Sequence, residues 1–134
     1  MSIHLELTTT VTAARWASQI LGVVAITQLA QAILAPNAIA KMFGLPLSSE
    51  PGPSRREKQW ITIYASRNAI LGLLMLTFGY GQNDWKAVGT IFKVRVLGSV
   101  VDMMIAGLQE GQIGKFAFHG AGTAAIATIA HLLG

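Results

Sequence analysis

Cysteine is absent from this chain of 134 residues, which excludes disulfides, thiolate nucleophiles and cysteine-ligated zinc or iron–sulfur centres together. Charge is scarce too: Asp, Glu, Lys and Arg make up 12% of the residues, about half the share of an ordinary globular protein. The only basic cluster, Arg55, Arg56 and Lys58, has no interleaved aromatic residues, so nucleic acid is not an expected partner. Glycines are frequent, yet they form neither the Walker nor the dinucleotide fingerprint. Ser66 and Ser99 have no evident basic partner for nucleophilic work. His119 and His131 stand twelve residues apart, about 18 Å along one helix, and cannot share a metal ion. No metal and no cofactor is therefore expected.

What the chain has instead is apolar length. Apolar residues reach 52% and the mean hydropathy is clearly positive. Segments at about residues 11–35, 59–80, 85–109 and 115–133 each approach the ~20 residues that cross a bilayer. All four prolines, Pro36, Pro46, Pro51 and Pro53, fall in the first connection, where Ser48, Ser49 and Gly52 also mark irregular chain. The other connections are short and polar, so the last three segments run antiparallel as neighbours. The expected fold is thus all-α, a single domain over 1–134 built as a four-helix transmembrane bundle with up-down topology. A soluble four-helix protein with a very apolar surface is the competing reading.

Trp16, Tyr80 and Trp85 fall toward one surface and Trp60 toward the other, as interfacial aromatics do. The start of the chain, residues 1–10, carries no Lys or Arg and so lacks the basic region of a cleaved signal, and the first segment is expected to stay as a span. Lys41, Arg55, Arg56, Lys58 and Lys115 crowd one side of the scheme, which puts both termini away from the cytosol. An integral, multi-pass protein of the endoplasmic reticulum or another endomembrane is expected, with membrane lipids around it.

Ionisable residues inside such spans cost at least ~2.5 to 3.5 kcal/mol each on insertion scales, so each asks for a partner or a purpose. At 1.5 Å per residue from the side of the first and third connections, Arg67 lies about 12 Å deep, Asp102 about 10 Å and His119 about 6 Å. Gln28 and Gln31 on the first span reach about 10 and 6 Å by the same count. Direction agrees with depth: Trp60, Tyr64 and Arg67 follow the spacing of one helical face, as do Arg95, Ser99 and Asp102 on the third span. Lys93 lies about 200° around its helix from Arg95 and is expected to snorkel instead. The candidate catalytic residues are Asp102, His119, Arg67 and Tyr64, and the candidate substrate-binding residues are Asn68, Gln28, Gln31, Arg95, Ser99 and Trp60. Trp60 at such a position is more often an interfacial anchor than a binding wall.

A structural explanation competes with the functional one: Asp102 pairs with Arg67 or Arg95 to hold helices in register, with the amides as hydrogen-bonding glue. Interhelical polar contacts average only about 0.6 kcal/mol, weak staples for costly residues. Convergent polar groups walled by Leu, Ile, Met and Phe describe a ligand pocket better. The chemistry these groups support is acid-base work on an apolar, membrane-dissolved substrate. In an epoxide opening, Asp102 would activate water or an internal hydroxyl, or attack directly, Tyr64 or His119 would stabilise the leaving oxygen, and Arg67 would supply the countercharge. The same groups suit an isomerase or a cyclase. The non-catalytic alternative is a carrier or a scaffold for larger enzymes.

With its second span reading YASRNAILGLLML, its third ending VVDMMIAGL and its fourth opening KFAFHGAGT, the chain resembles, over about residues 15–133, a fungal family of small four-span membrane proteins of unknown function. The matching pattern is Arg67, Asn68 and Gly72, then Asp102, then His119. The resemblance implies an accessory enzyme of secondary metabolism. It adds a polyketide or terpenoid intermediate as the substrate class, and other pathway enzymes as associates.

Overall fold

Small residues recur along two of the helices at the spacing of a helix–helix seam, and the architecture follows from where those seams meet. A computed structural model describes the backbone of residues 2–43, 53–107 and 113–134; side chains at 2–7, 43, 103, 105–107, 113–116, 118 and 119 lie outside the description. The described residues are all-helical: α1 (Ser2–Leu34), α2 (Pro36–Phe43), α3 (Arg55–Leu76) continued by a π-turn (Thr77–Gly81), α4 (Trp85–Gly107) and α5 (Ile113–Leu133).

Helix α1 starts well before residue 11 and stops at Pro36, whose ring and missing N–H end a helix from within. The same proline opens α2, because its fixed φ suits the first helical position. The prolines of the first connection predict irregular chain, but α2 replaces its first part and lays Ile39 and Ala40 against Ala32, Ile61 and Ala65. The rest of that connection, residues 44–52, lies outside the described residues. Helix α3 begins at a capping box: the Ser54 side chain accepts from the Glu57 N–H at 3.3 Å, and Glu57 Oε2 accepts from the Ser54 N–H at 2.6 Å. Each carboxylate or hydroxyl there satisfies a donor that the helix start leaves over. At its other end the Gln82 N–H reaches Thr77 O at 3.0 Å, the longer closure of a π-turn. Asn83 then takes a left-handed φ of 53°, which its short polar side chain tolerates. Asp84 caps α4 by accepting from the Ala87 N–H at 3.0 Å.

Helices α1 and α3 pack antiparallel along their length. The seam pairs Ala14, Ser18, Gly22 and Ala25 with Ala65, Ala69, Gly72 and Met75, all buried. At its middle the backbones nearly touch, since a Cβ on Gly72 would sit 2.5 Å from the Gly22 carbonyl oxygen. Helices α4 and α5 pair in the same way, with a Cβ on Gly89 falling 2.9 Å from the Gly134 nitrogen. One apolar cluster, Ala14, Met75, Val88, Phe92, Ile129, Ala130 and Leu133, locks α1, α3, α4 and α5 together at the end where α3 turns into α4.

The antiparallel order of the last three helices holds, but α3 and α4 touch sparsely. The reason is side-chain size: Tyr64, Arg67 and Leu71 face Arg95 across this interface, where the other pairs meet through glycine and alanine. The result is a wedge that opens away from the apolar cluster. Two helical stretches, Thr8–Leu34 and Arg55–Gly81, are long and apolar enough to cross a membrane. Their outward faces are apolar as well, with Ile20, Ile33, Ile63 and Leu73 all more than half exposed.

Candidate functional site

The wedge between α3 and α4 encloses a cavity of about 570 Å³, with further walls from α1, α2 and α5. Helical spacing delivers its polar groups. Tyr64, Arg67, Asn68 and Leu71 come from one face of α3, and Arg95, Gly98, Ser99 and Asp102 from one face of α4, as i, i+3, i+4 and i+7 positions do. Gln28 enters from α1, Met42 from α2, and Gly122, Thr123 and Ile126 from α5.

At the centre, the Tyr64 hydroxyl donates to Asp102 Oδ2 at 2.8 Å. Arg67 Nη2 stands 3.9 Å from the other carboxylate oxygen, Oδ1, and the Arg67 side chain is 58% exposed against 25% for Asp102. The guanidinium also lies over the Tyr64 ring, 5.1 Å from its centroid, where the ring face attracts a cation. One oxygen of Asp102 is therefore held by a hydrogen bond from a neutral donor, while the other has a loose ionic neighbour. An arginine this exposed and this far from its carboxylate is a poor buried staple. Asn68 is buried at the cavity wall, and Gln28, Arg95 and Ser99 are half-buried there.

Of the residues singled out from the sequence, the cavity brings together Gln28, Tyr64, Arg67, Asn68, Arg95, Ser99 and Asp102. It does not include Gln31, which is exposed on α1, or Trp60, which is 61% exposed at the start of α3. His119 lies on α5 one turn before Thr123, and its side chain is outside the described residues. Lys93 is exposed and stands apart from the cavity. Met42, Ile70, Val94, Gly122, Thr123 and Ile126 escaped the sequence reading. Thr123 had a signal, the i+4 spacing from His119 on one helical face; Met42 depends on α2, whose signal was Pro36 at a helix start. Among the described residues no cluster of His, Cys, Asp or Glu could hold a metal ion.

Fold and site together define an all-helical protein with two helices of bilayer-spanning length and apolarity, and a polar-floored cavity between its helix pairs. The model of one family, a domain of unknown function designated DUF4267, matches residues 22–133, and the chain belongs to that family. No curated protein and no solved structure matches it significantly.

Proposed function

We propose that this protein is a four-span enzyme of an internal membrane, such as the endoplasmic reticulum, that opens an epoxide on a lipophilic polyketide or terpenoid intermediate without a cofactor. The four-span reading adds α4 and α5 to the two apolar stretches. At 23 residues, α4 extends about 34 Å, and its ionisable Arg95 and Asp102 face the cavity while Leu97 and Val101 face outward, each more than half exposed. Helix α5 is apolar over Gly120–Leu133. Apolar faces left bare by the helix packing ask for lipid as their solvent.

The observation that carries the enzymatic reading is the hydrogen bond from Tyr64 to Asp102 inside a cavity whose apolar lining comes from Met42, Ile70, Leu71, Val94 and Ile126. It couples an acid to a base. In a hydrolysis, Asp102 takes a proton from water as the water oxygen attacks one epoxide carbon. The carbon–oxygen bond breaks, and Tyr64 gives its proton to the alkoxide. The proton on Asp102 then passes to Tyr64 along their hydrogen bond, so both groups finish as they began and the net product is the diol. With an internal hydroxyl in place of water, the same transfer gives a cyclic ether. Arg67 faces the charge that develops on the substrate oxygen. His119, carried on α5, is the second candidate proton donor by its sequence position. The same acid-base pair also suits an isomerase or cyclase of the same pathway class, working alongside other enzymes of the route.

A non-catalytic carrier or scaffold is the second reading, favoured by the fact that the same contacts bridge the sparsely packed α3 and α4. The exchange variant Arg67→Asp with Asp102→Arg separates the two. In a host lacking the gene, the wild type restores the pathway product and the apolar precursor disappears from the extract by mass spectrometry. The exchange variant inserts into the membrane but leaves the precursor to accumulate. Full restoration by the exchange variant would overturn the enzymatic reading and leave the staple in its place.

A further inference from the structure

A second pocket, of about 350 Å³, lies at the other end of the helices, where α1 passes the π-turn and the start of α4. Its wall includes Gln19, which is 6% exposed. The Gln19 Nε2 stands 3.4 Å from both Met75 O and Ser18 Oγ, at the long limit for such bonds. Its Oε1 is the one buried side-chain oxygen or nitrogen without a hydrogen-bond partner among the described residues. Buried acceptors of this kind are rare and ask for an occupant. The π-turn makes the room, because it brings Gly79 here. A Cβ on Gly79 would overlap Gln19 Nε2 and lie 3.1 Å from the Trp85 ring.

The pocket carries a cation as well. The Arg15 guanidinium sits over the Trp85 ring at 5.0 Å from its centroid, and that ring is fixed by its Nε1–H donating to Asn83 Oδ1 at 2.6 Å. Among the described residues no carboxylate pairs with Arg15. Trp16 and Tyr80 stand at the rim, 59% and 73% exposed, as aromatic side chains do at the headgroup level of a bilayer. Below Trp16, Ile20 and Val23 continue the same outward face of α1, both more than half exposed, at the i, i+4, i+7 spacing of one stripe. A cation, a buried acceptor, an aromatic rim and an apolar track beneath it match one ligand class from end to end.

We propose that this pocket binds a phospholipid whose headgroup carries a hydroxyl or ammonium donor beside its phosphate. The phosphate meets Arg15, the headgroup donor reaches Gln19, and an acyl chain lies along Ile20 and Val23. The apolar track selects a lipid over a free phosphate ester. This inference rests on the membrane reading of the helices and not on the chemistry at Asp102.

Native mass spectrometry of the full chain in detergent tests it, with an equimolar mixture of phosphatidylethanolamine, phosphatidylglycerol, phosphatidylcholine and diacylglycerol. The wild type is expected to retain one phospholipid, and to prefer the ethanolamine and glycerol headgroups over choline, which has no N–H or O–H to donate, by about fivefold. Arg15→Gln lowers retention of all phospholipids about tenfold, and Gln19→Leu erases the preference over choline. If Gln19→Leu fails to fold, the wild-type preference and Arg15→Gln decide. Equal retention of choline lipid or of diacylglycerol would overturn the proposal, and so would displacement of the lipid by millimolar inorganic phosphate. Absence of a retained lipid from a protein that resists carbonate extraction overturns the pocket alone, whereas carbonate release overturns the membrane reading itself.

Discussion

Tyr64 on α3 donates its hydroxyl to Asp102 on α4 at 2.8 Å, across an interface where the two helices otherwise barely meet. The bond spans the opening of a wedge. Interhelical polar contacts are modest in energy, and the apolar cluster at Phe92 and Met75 already holds the two helix pairs together. The Tyr64–Asp102 contact is thus better suited to orienting a carboxylate than to holding the fold.

Asp102→Asn preserves shape and removes the base. It is expected to insert and fold as the wild type does, yet to lower turnover by at least about a hundredfold. Tyr64→Phe is expected to lower turnover by a similar factor through loss of the proton donor, and to cost about 1 kcal/mol of stability for one hydrogen bond. Precursor and product by mass spectrometry, with thermal unfolding in detergent, check both. Wild-type turnover by the Asn variant would remove Asp102 from the chemistry.

Gly98 and Gly122 line the cavity, and a Cβ on either meets nothing within 4 Å. Gly98→Leu and Gly122→Leu therefore start from a Cβ that presses on no neighbour and are expected to extend into the cavity. Stability is expected to stay within about 0.5 kcal/mol of the wild type, while conversion of a bulky substrate falls. Unchanged conversion by both variants would place the substrate elsewhere.

Gly72→Ala tests the α1–α3 seam. The new methyl would stand 2.5 Å from the Gly22 carbonyl oxygen and 3.0 Å from the Ala25 Cβ, so the backbones must part. A loss of about 1 to 3 kcal/mol is expected, as for an overpacked core. Reversible denaturation in mixed micelles measures it, and a neutral result would show that the helices do not meet at these glycines.

Much of this was legible in the sequence and some was not, for physical reasons. Helical faces could be read because i, i+4 and i+7 positions must align, and this brought Tyr64 and Arg67 to one wall and Arg95, Ser99 and Asp102 to the other. Depth counting on α1 was less decisive. Gln28 and Gln31 are one i, i+3 step apart and so only about 60° apart around the helix, yet Gln31 lies nearer the helix end, where it is exposed, and only Gln28 lines the cavity. Trp60 shares a face with Tyr64, yet it stands one turn too near the helix start to line the cavity. Helix α2 was hidden because prolines punctuate its connection, although Pro36 at a first helical position was a readable signal, as the Ser54–Glu57 box was for the start of α3. Gln19 gave no sequence signal, since its isolation depends on a π-turn that periodicity does not reveal.

Topology gives a further expectation. With four spans, tags at both ends share one side of the membrane, and the basic segment 55–58 lies on the cytosolic side. In sealed vesicles a protease should spare both tags together or cut both. Cleavage of one tag alone would show an odd number of spans and exclude the up-down bundle.

The wedge between α3 and α4 is also a lever. Its pivot is the short turn Gln82–Asp84 beside the apolar cluster, and the α1–α3 and α4–α5 pairs are its two arms, each stiffened by glycine-mediated contact. Asp102 lies seventeen residues from Trp85 along α4, a lever arm of about 25 Å at 1.5 Å per residue. A rotation of about 5° at the pivot displaces the carboxylate by about 2 Å, close to the difference between a hydrogen bond and none. Small repacking around Phe92 is therefore magnified at the Tyr64–Asp102 pair. Substitutions far from the cavity at this cluster are expected to change the gap between acid and base, just as the seat of a pair of tongs sets the spacing of its tips.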